Sequence, residues 1–247
     1  MNWMCKSTIV AILTMQSMTA SADVLDFGVA GQFNVFVFNN FTSSNSDVEG
    51  AVAVGGSFNA SSYSVNELNK AVAGNALVVA NNLNFNNGSV KNGNIDVGGS
   101  RTTSNFGFTG TYTDTDPINF ANERTYLQNL STSLNALANT GTATYNYSGL
   151  QLTASNNSSA QIFDIDGSLF NSRNNTTFSG FSNGQTIILN ISGNGLTFNG
   201  GTGTNFSQYG FNVVYNFYEA TALTTGSGAT GTILAPLADI TRWLCSH

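Results

Sequence analysis

Short apolar runs bounded by glycine recur at regular intervals in the first part of the chain. Three of these phrases lie at 50–57 (GAVAVGGS), 74–80 (GNALVVA) and 93–100 (GNIDVGGS). They begin roughly twenty residues apart, which is the length of one coil in a stacked β architecture. Apolar residues between small ones predict strands with a buried side, and the glycines let the chain turn. The pattern predicts a mainly β fold, a β-solenoid (β-helix-like) stack with broad, flat outer faces.

Further strands are expected on both sides of this repeat. Residues 33–41 (FNVFVFNNF) alternate between apolar and polar and then run apolar, which predicts one strand, and the polar residues 43–47 predict a turn after it. Later β-branched and aromatic runs predict strands at 143–147, 161–165, 186–191, 211–217 and 232–235. The last three runs are again spaced by roughly twenty to twenty-five residues, which indicates further coils of the stack.

One segment has the period of a helix. Asp114 and Asp116 precede Pro117, and an N-cap carboxylate with a first-turn proline favours a helix start. Apolar side chains then recur at three- and four-residue steps, at Phe120, Leu127, Leu130, Leu134 and Leu137. This stripe predicts one long α-helix over about 117–139, spanning roughly 33 Å. Because its polar side lacks the Lys and Arg of a membrane-surface helix, we expect it to pack along the side of the β-stack.

Composition narrows the classes of partner. The 247 residues are 41% hydrophobic but only 8% charged, so we expect a folded domain whose surface consists largely of Asn, Ser, Thr and Gly. Seven basic and thirteen acidic residues, with no Lys/Arg cluster, argue against nucleic acid or anionic lipid as a partner.

The N-terminus has the features of a secretory signal peptide over 1–22. Lys6 supplies the positive charge, a moderately apolar stretch follows, and Ala-Ser-Ala forms the cleavage site. The apolar stretch is too short to span a bilayer, so we expect no transmembrane segment after cleavage. Cleavage would also remove Cys5 and leave Cys245 without an intramolecular disulfide partner. Residues 23–247 contain no dividing linker, which predicts a single domain.

Several of these segments resemble the choice-of-anchor A domain family, an adhesive domain of bacterial surface proteins. The matching text lies at 33–42 (FNVFVFNNFT), 46–56 (SDVEGAVAVGG), 63–65 (YSV), 163–167 (FDIDG), 214–217 (VYNF) and 231–239 (GTILAPLAD). The resemblance implies an exported, β-rich domain with a flanking helix, displayed through varied C-terminal anchors, and it brings no catalytic residues. The family usually continues through another coil after Asp239, whereas residues 242–247 (RWLCSH) carry neither that coil nor an LPxTG-like motif. Truncation at the C-terminus, a frame change and a naturally short secreted form all stay open.

Residues with candidate chemistry are few. Asp164 and Asp166 resemble the opening of a Ca²⁺ loop, but the further ligands of an EF-hand do not follow. A turn at a strand end is the better interpretation, and a looser Ca²⁺ site stays open. The same two carboxylates could hydrolyse a glycosidic bond only if they were held about 5 to 10 Å apart. The single histidine, His247, argues against a His-based triad. We assign no catalytic, cofactor-binding or metal-ligating residue and expect no cofactor.

These patterns favour a non-catalytic adhesin or extracellular-matrix domain, secreted or displayed on the cell surface. Repeated Asn, Thr and Ser side chains on a flat β face would meet an extracellular polysaccharide or a repetitive host or matrix protein, and many displayed copies would amplify weak contacts. Ice binding on a similar solenoid is the alternative, although the Thr pairs at 102–103, 176–177 and 224–225 look scattered rather than ranked one per coil. A carbohydrate-active enzyme is the third hypothesis.

Overall fold

The structure is a computed structural model that describes residues 25–69, 71, 74–155, 158–198, 212–226 and 231–242. The strands of the N-terminal half are β1 (Val35–Val37), β2 (Phe41–Val48), β3 (Val52–Val54), β4 (Phe58–Val65), β5 (Asn75–Val79), β6 (Leu83–Val90), β7 (Asn94–Val97), β8 (Arg101–Phe108) and β9 (Tyr112–Thr113). A 3-10 helix, Gly28–Gln32, precedes them, and helix α1, Phe120–Asn135, follows them.

The C-terminal half continues with ten strands and one short helix among the described residues. They are β10 (Gly141–Asn146), β11 (Gly149–Ala154), β12 (Ala160–Ile165), α2 (Gly167–Ser172), β13 (Asn175–Ser179), β14 (Thr186–Ile191), β15 (Leu196–Phe198), β16 (Asn212–Asn216), β17 (Ala222–Thr225), β18 (Thr232–Leu234) and β19 (Asp239–Arg242). The fold is therefore mainly β with few helices.

The repeated phrases of the N-terminal half lie side by side. Odd-numbered strands form one parallel sheet in the order β1-β3-β5-β7-β9, and even-numbered strands form a second in the order β2-β4-β6-β8. Val52 of the first phrase lies opposite Leu77 of the second, which in turn lies opposite Ile95 of the third. Each phrase thus supplies one strand of a coil, and successive coils stack in parallel, which is consistent with the predicted stack.

The C-terminal half repeats this arrangement with longer coils. Strands β12-β14-β16-β18 form one parallel sheet and β15-β17-β19 another. Thr186 of β14 lies between Ala160 of β12 and Asn212 of β16, a step of 26 residues on each side. The strands expected at 186–191, 211–217 and 232–235 are present as β14, β16 and β18, and their parallel stacking is consistent with further coils. In a third sheet, β10-β11-β13, the edge strand β10 runs antiparallel to β11.

The stack consists of an N-terminal and a C-terminal half, and each half has its own apolar core. Phe58 and Phe85 belong to the first interior, while Phe163 and Tyr215 belong to the second. A third cluster, under α1, has members from both halves: Leu127 and Leu134 of the helix with Ile162, Ile188, Val214, Leu234 and Phe38. Helix α1 therefore packs along the side of the stack, as predicted, and joins two half-stacks.

The start of α1 differs from the prediction. The helix begins at Phe120 rather than at Pro117, because the Asn119 side chain is the N-cap and accepts the Asn122 amide at 3.0 Å. Asp116 instead accepts the amide of Ile118 at 3.2 Å. Ile118 and Phe120 pack against the outer side of the first sheet, which keeps this segment extended across the coils.

The single strand predicted over 33–41 is also wrong. The structure has β1 ending at Val37 and β2 beginning at Phe41, with a corner between two sheets at 38–40. Phe38 turns towards α1 rather than into the first interior. The chain therefore changes from one sheet to the other within 33–41. The apolar residues of this segment do not show where that change occurs.

The predicted signal peptide, Cys5, Cys245 and His247 lie outside the described residues. Within the part of the chain that the structure covers, no helix combines the length and apolar character that crossing a bilayer requires.

Candidate functional site

The outer surface of the second sheet carries two rows of uncharged polar side chains. The strands pair in parallel, so residues at equivalent positions of β2, β4, β6 and β8 stand in line across the sheet. One row is Thr42, Asn59, Asn84 and Thr102, and the other is Ser44, Ser61, Asn86 and Ser104. We call these eight residues the polar face. The intervening side chains, such as Phe58 and Phe85, point inwards and are fully buried.

The polar face is a regular and pre-ordered lattice. Neighbours within a row are about 4.8 Å apart, and the two rows are about 6.7 Å apart along the strands. Asn84 Nδ2 donates to Asn59 Oδ1 at 2.8 Å, and Ser104 Oγ donates to Asn86 Oδ1 at 2.9 Å. These bonds between adjacent coils hold the side chains in place while their outer sides remain accessible to a ligand.

A column of left-handed residues forms one edge of the polar face. The predicted turn at 43–47 is wrong, because β2 continues through it and bends at Asn45, whose φ is 52°. Ser62, Asn87 and Asn105 bend the next three strands in the same way, with φ values of 50°, 51° and 45°. Asparagine tolerates this conformation better than most residues with a Cβ. The shared bend keeps all four strands in register.

A second feature of the outer surface is a row of threonines in the C-terminal half. Thr197, Thr224 and Thr241 lie opposite one another on β15, β17 and β19. Their separations in the chain are 27 and 17 residues, so no fixed period marks them in the sequence. The threonines were expected to be scattered rather than aligned at one per coil. That expectation is wrong for these three coils. We call these residues the threonine column.

Ion pairs lie beside the polar face rather than on it. Lys91 Nζ contacts Glu67 Oε1 at 2.5 Å, and this hydrogen bond holds the pKa of Glu67 below its ordinary value. Arg101 pairs with Asp114 at 3.0 Å and stacks on the ring of Tyr112. The neutral rows of the polar face are thus flanked by charges that are already paired.

Asp164 and Asp166 each make their own structural contacts. Asp166 is the N-cap of α2, and its carboxylate accepts the amide and the hydroxyl of Ser168, which lowers the pKa of Asp166. Asp164 accepts a hydrogen bond from Asn190 Nδ2 at 3.3 Å. Among the residues that the structure describes, no three His, Cys, Asp or Glu side chains gather as metal ligands would. Both carboxylates are explained by structural contacts.

A buried polar ladder lies beneath α1 and was not predicted from the sequence. Asn216 Nδ2 donates to Asn190 Oδ1 at 2.9 Å, and Asn190 continues the column to Asp164. The same two asparagines donate to carbonyls of α1, at Ser131 (2.9 Å) and Leu134 (3.0 Å). The sequence did contain one signal for this ladder. The apolar runs of β12, β14 and β16 carry Asp164, Asn190 and Asn216 at equivalent positions.

Neither a curated protein nor a solved structure shows significant similarity to the chain. One family model does match, over residues 26–243, which includes both half-stacks, α1, the polar face and the threonine column. The chain belongs to the family of that model, described as "Putative Ice-binding-like adhesive domain".

Proposed function

We propose that this chain is a non-catalytic exported adhesin of the choice-of-anchor A kind, with residues 1–22 as its signal peptide. It binds a neutral polymer of regular repeat, an extracellular polysaccharide or a repetitive host or matrix protein. The observation that carries the proposal is the polar face, with two rows of uncharged side chains in register over four coils. Membership of an adhesive family supports it.

The lattice of the polar face suits such a ligand for two physical reasons. Hydroxyl and amide groups at fixed spacings can each make one hydrogen bond to a repeating partner, and pre-ordered side chains lose little entropy on binding. None of the eight residues of the polar face is charged, so a neutral ligand can bind there without leaving a charge unpaired. Each contact is weak, and display of many copies on one cell multiplies the total affinity.

The test is a glycan and matrix-protein array probed with the purified chain. Ser61 and Ser179 are both exposed strand residues, but only Ser61 belongs to the polar face. We expect Ser61→Arg to weaken binding at least tenfold and Ser179→Arg to leave it unchanged. Equal losses in the two variants, or no binding by the unaltered chain, would contradict the proposal. Release of reducing sugar that disappears in Asp164→Asn would instead favour the enzyme hypothesis.

Ice binding is the second candidate, and the threonine column is the observation that favours it. Thr197, Thr224 and Thr241 provide one threonine in each of three neighbouring coils. Thermal hysteresis of the purified chain measures this function directly. A value at buffer level rejects it, whereas a signal that Thr224→Tyr abolishes and Thr102→Tyr retains would place ice at the threonine column rather than at the polar face.

A further inference from the structure

Helix α1 lies on the outer surface of one sheet in each half-stack. In the N-terminal half, Phe120 packs with Ala53 and Val78, which point outwards from the sheet of odd-numbered strands. In the C-terminal half, Leu134 belongs to one cluster with Val214, which points outwards from the sheet β12-β14-β16-β18. Because one helix covers both sheets, these two sheets share one side of the molecule.

The strands of these two sheets also run in the same direction beneath α1. Arg124 and Ser131 are seven residues apart, so they lie on the same flank of the helix. Arg124 Nη2 donates to Asn39 Oδ1 at 3.0 Å, and Asn39 lies in the corner that leads from β1 to β2. The Ser131 carbonyl accepts from Asn216, which ends β16 just before the corner that leads to β17. The chain therefore leaves both sheets on the same flank of α1.

Contacts on the opposite flank of α1 agree with this direction. Glu123 Oε1 accepts from the amide of Ala30 at 3.1 Å, and the Tyr126 hydroxyl donates to the carbonyl of Asp26 at 3.0 Å. Both partners precede β1 in the chain. The sheets that follow the corners, β2-β4-β6-β8 and β15-β17-β19, consequently lie on the same side of the molecule.

The polar face and the threonine column start at equivalent positions of these two sheets. Thr42 follows Phe41, and Thr224 follows Leu223; Phe41 and Leu223 both pack into the core of their own half-stack. A row of each sheet thus occupies the first outward position after the corner.

The half-stacks also follow one another along the helix. Helix α1 contacts β1 through Phe120, then β16 through Ser131, and then β14 through Leu134. The first row of the polar face is therefore in line with the threonine column. We call the combined line the continuous row, and its order is Thr197, Thr224, Thr241, Thr42, Asn59, Asn84 and Thr102.

The side chains of these rows favour a polysaccharide over a protein as the ligand. The polar face and the threonine column consist of Thr, Ser and Asn alone. A protein interface usually has apolar or aromatic anchors at its centre, and these rows contain none. Hydroxyl and amide groups can instead each pair with a hydroxyl of a neutral sugar chain.

The same chemistry indicates the physical form of the polysaccharide. Each neutral hydrogen bond contributes only about 0.5–1.5 kcal/mol, whereas association costs about 4–15 kcal/mol in lost freedom. A short soluble sugar that reaches a few coils gains too little to offset this cost. Chains packed side by side hold their hydroxyls in a fixed array, so contacts along the whole continuous row can add up.

We propose that the polar face and the threonine column are one binding surface, which the face of a packed, insoluble neutral polysaccharide contacts across both half-stacks. This inference rests on the adhesive function proposed above. It can fail separately, because adhesion through the polar face alone does not require the threonine column.

The test measures depletion of the purified full chain from solution by microcrystalline cellulose and by microcrystalline chitin. We expect saturable binding to at least one of these solids. Soluble hexasaccharides of the same sugars should bind at least a hundredfold more weakly, because each of them reaches only part of the continuous row.

Three threonine variants locate the surface. Thr42 and Thr241 are exposed members of the continuous row, one from each half-stack. Thr42→Arg and Thr241→Arg should each raise the Kd for the same solid at least tenfold without changing the amount bound at saturation. Thr144→Arg makes the same change at an exposed threonine of β10, outside both rows, and should leave the Kd unchanged. Circular dichroism checks that all three variants are folded.

The outcomes separate this inference from the adhesive function itself. A loss with Thr42→Arg alone overturns the single surface and leaves the polar face as the site. Equal losses in all three variants, or hexasaccharide binding as tight as that of the solid, also overturn it. Binding to neither solid overturns the polysaccharide, while a positive matrix-protein array would still support an adhesin. Thermal hysteresis that Thr42→Arg and Thr241→Arg both abolish, without binding to either solid, would assign the surface to ice instead.

Discussion

Ser131 of α1 and Asn216 of β16 are hydrogen-bonded in both directions. Asn216 Nδ2 donates to the Ser131 carbonyl at 2.9 Å, and Ser131 Oγ donates to Asn216 Oδ1 at 2.5 Å. Both residues are almost completely buried. A buried polar network of this kind specifies the position of the helix on the sheet, because any shift would leave several polar atoms without partners.

The first prediction concerns this contact. Asn216→Leu leaves the Ser131 hydroxyl and the side-chain Oδ1 of Asn190 without their partner, so we expect the free energy of unfolding to fall by about 2–4 kcal/mol. Urea denaturation followed by circular dichroism measures it. Asn84→Leu is the control, since Asn84 makes a single side-chain bond on the partly exposed polar face, and it should cost less than about 1 kcal/mol. Equal costs would contradict the structural role of the buried ladder.

The second prediction concerns the repeated Gly-Gly pairs. A Cβ at Gly98 would lie 2.3 Å from the carbonyl oxygen of Ala80 in the preceding coil, whereas a Cβ at Gly107 would meet nothing within 4 Å. We expect Gly98→Ala to lower the free energy of unfolding by about 1–3 kcal/mol. Gly107→Ala should raise it by up to about 1 kcal/mol, because alanine loses less backbone entropy on folding. Thermal unfolding of the two variants is the measurement, and a stable Gly98→Ala protein would show that the coils are not stacked this closely.

The third prediction concerns the left-handed column. Asn87 has a φ of 51° and accepts a hydrogen bond from Asn105 Nδ2 at 2.9 Å. A β-branched residue is strained in this conformation, so Asn87→Val should destabilise the chain by about 1–2 kcal/mol. Asn87→Gly removes the same hydrogen bond without the strain and should cost less. Denaturant midpoints of the two variants provide the comparison, and the reverse order would contradict a strained backbone at this position.

The fourth prediction concerns alkaline pH. Burial raises the pKa of Tyr215 to about 12. The unfolded chain releases this proton near pH 10, so the contribution of Tyr215 to the free energy of unfolding should fall between about pH 10 and 12, by up to roughly 2–3 kcal/mol. Burial lowers the pKa of Arg173 to about 10, which acts in the opposite direction over the same range.

Tyr215→Phe separates the two effects of alkaline pH. This variant keeps the buried ring and lacks the titrating hydroxyl, so it should not show the alkaline loss that is due to Tyr215. Denaturation of both proteins at several pH values between 8 and 12 measures the difference. Identical pH profiles would show that Tyr215 titrates normally in the folded chain.

Local pattern was sufficient for the coils and for the existence of α1. Alternation and glycine at 50–57 and 93–100 correctly predicted strands that stack, because strand formation and close approach of backbones depend on neighbouring residues. The stripe of leucines correctly predicted a helix that packs along the stack. The error at its start arose because Asn119, rather than Asp114 or Asp116, takes the N-cap position once Ile118 is packed on the sheet.

The rows on the outer surface were less predictable. Thr42 and Asn59 are 17 residues apart, whereas Asn59 and Asn84 are 25 apart, and the register that aligns them follows from pairing rather than from a fixed period. For the same reason the threonine column was not recognised.

Sequence alone determined that this chain would form short parallel coils with a neutral polar surface and a helix at their side, because alternation, glycine and a leucine stripe act over a few residues. Tertiary structure alone decided that the coils form two half-stacks, which side chains align into rows, and that Asn190 and Asn216 are buried under α1. These features depend on contacts between residues far apart in the chain. Strand pairing sets the rows, and α1 supplies the contacts that join the two half-stacks.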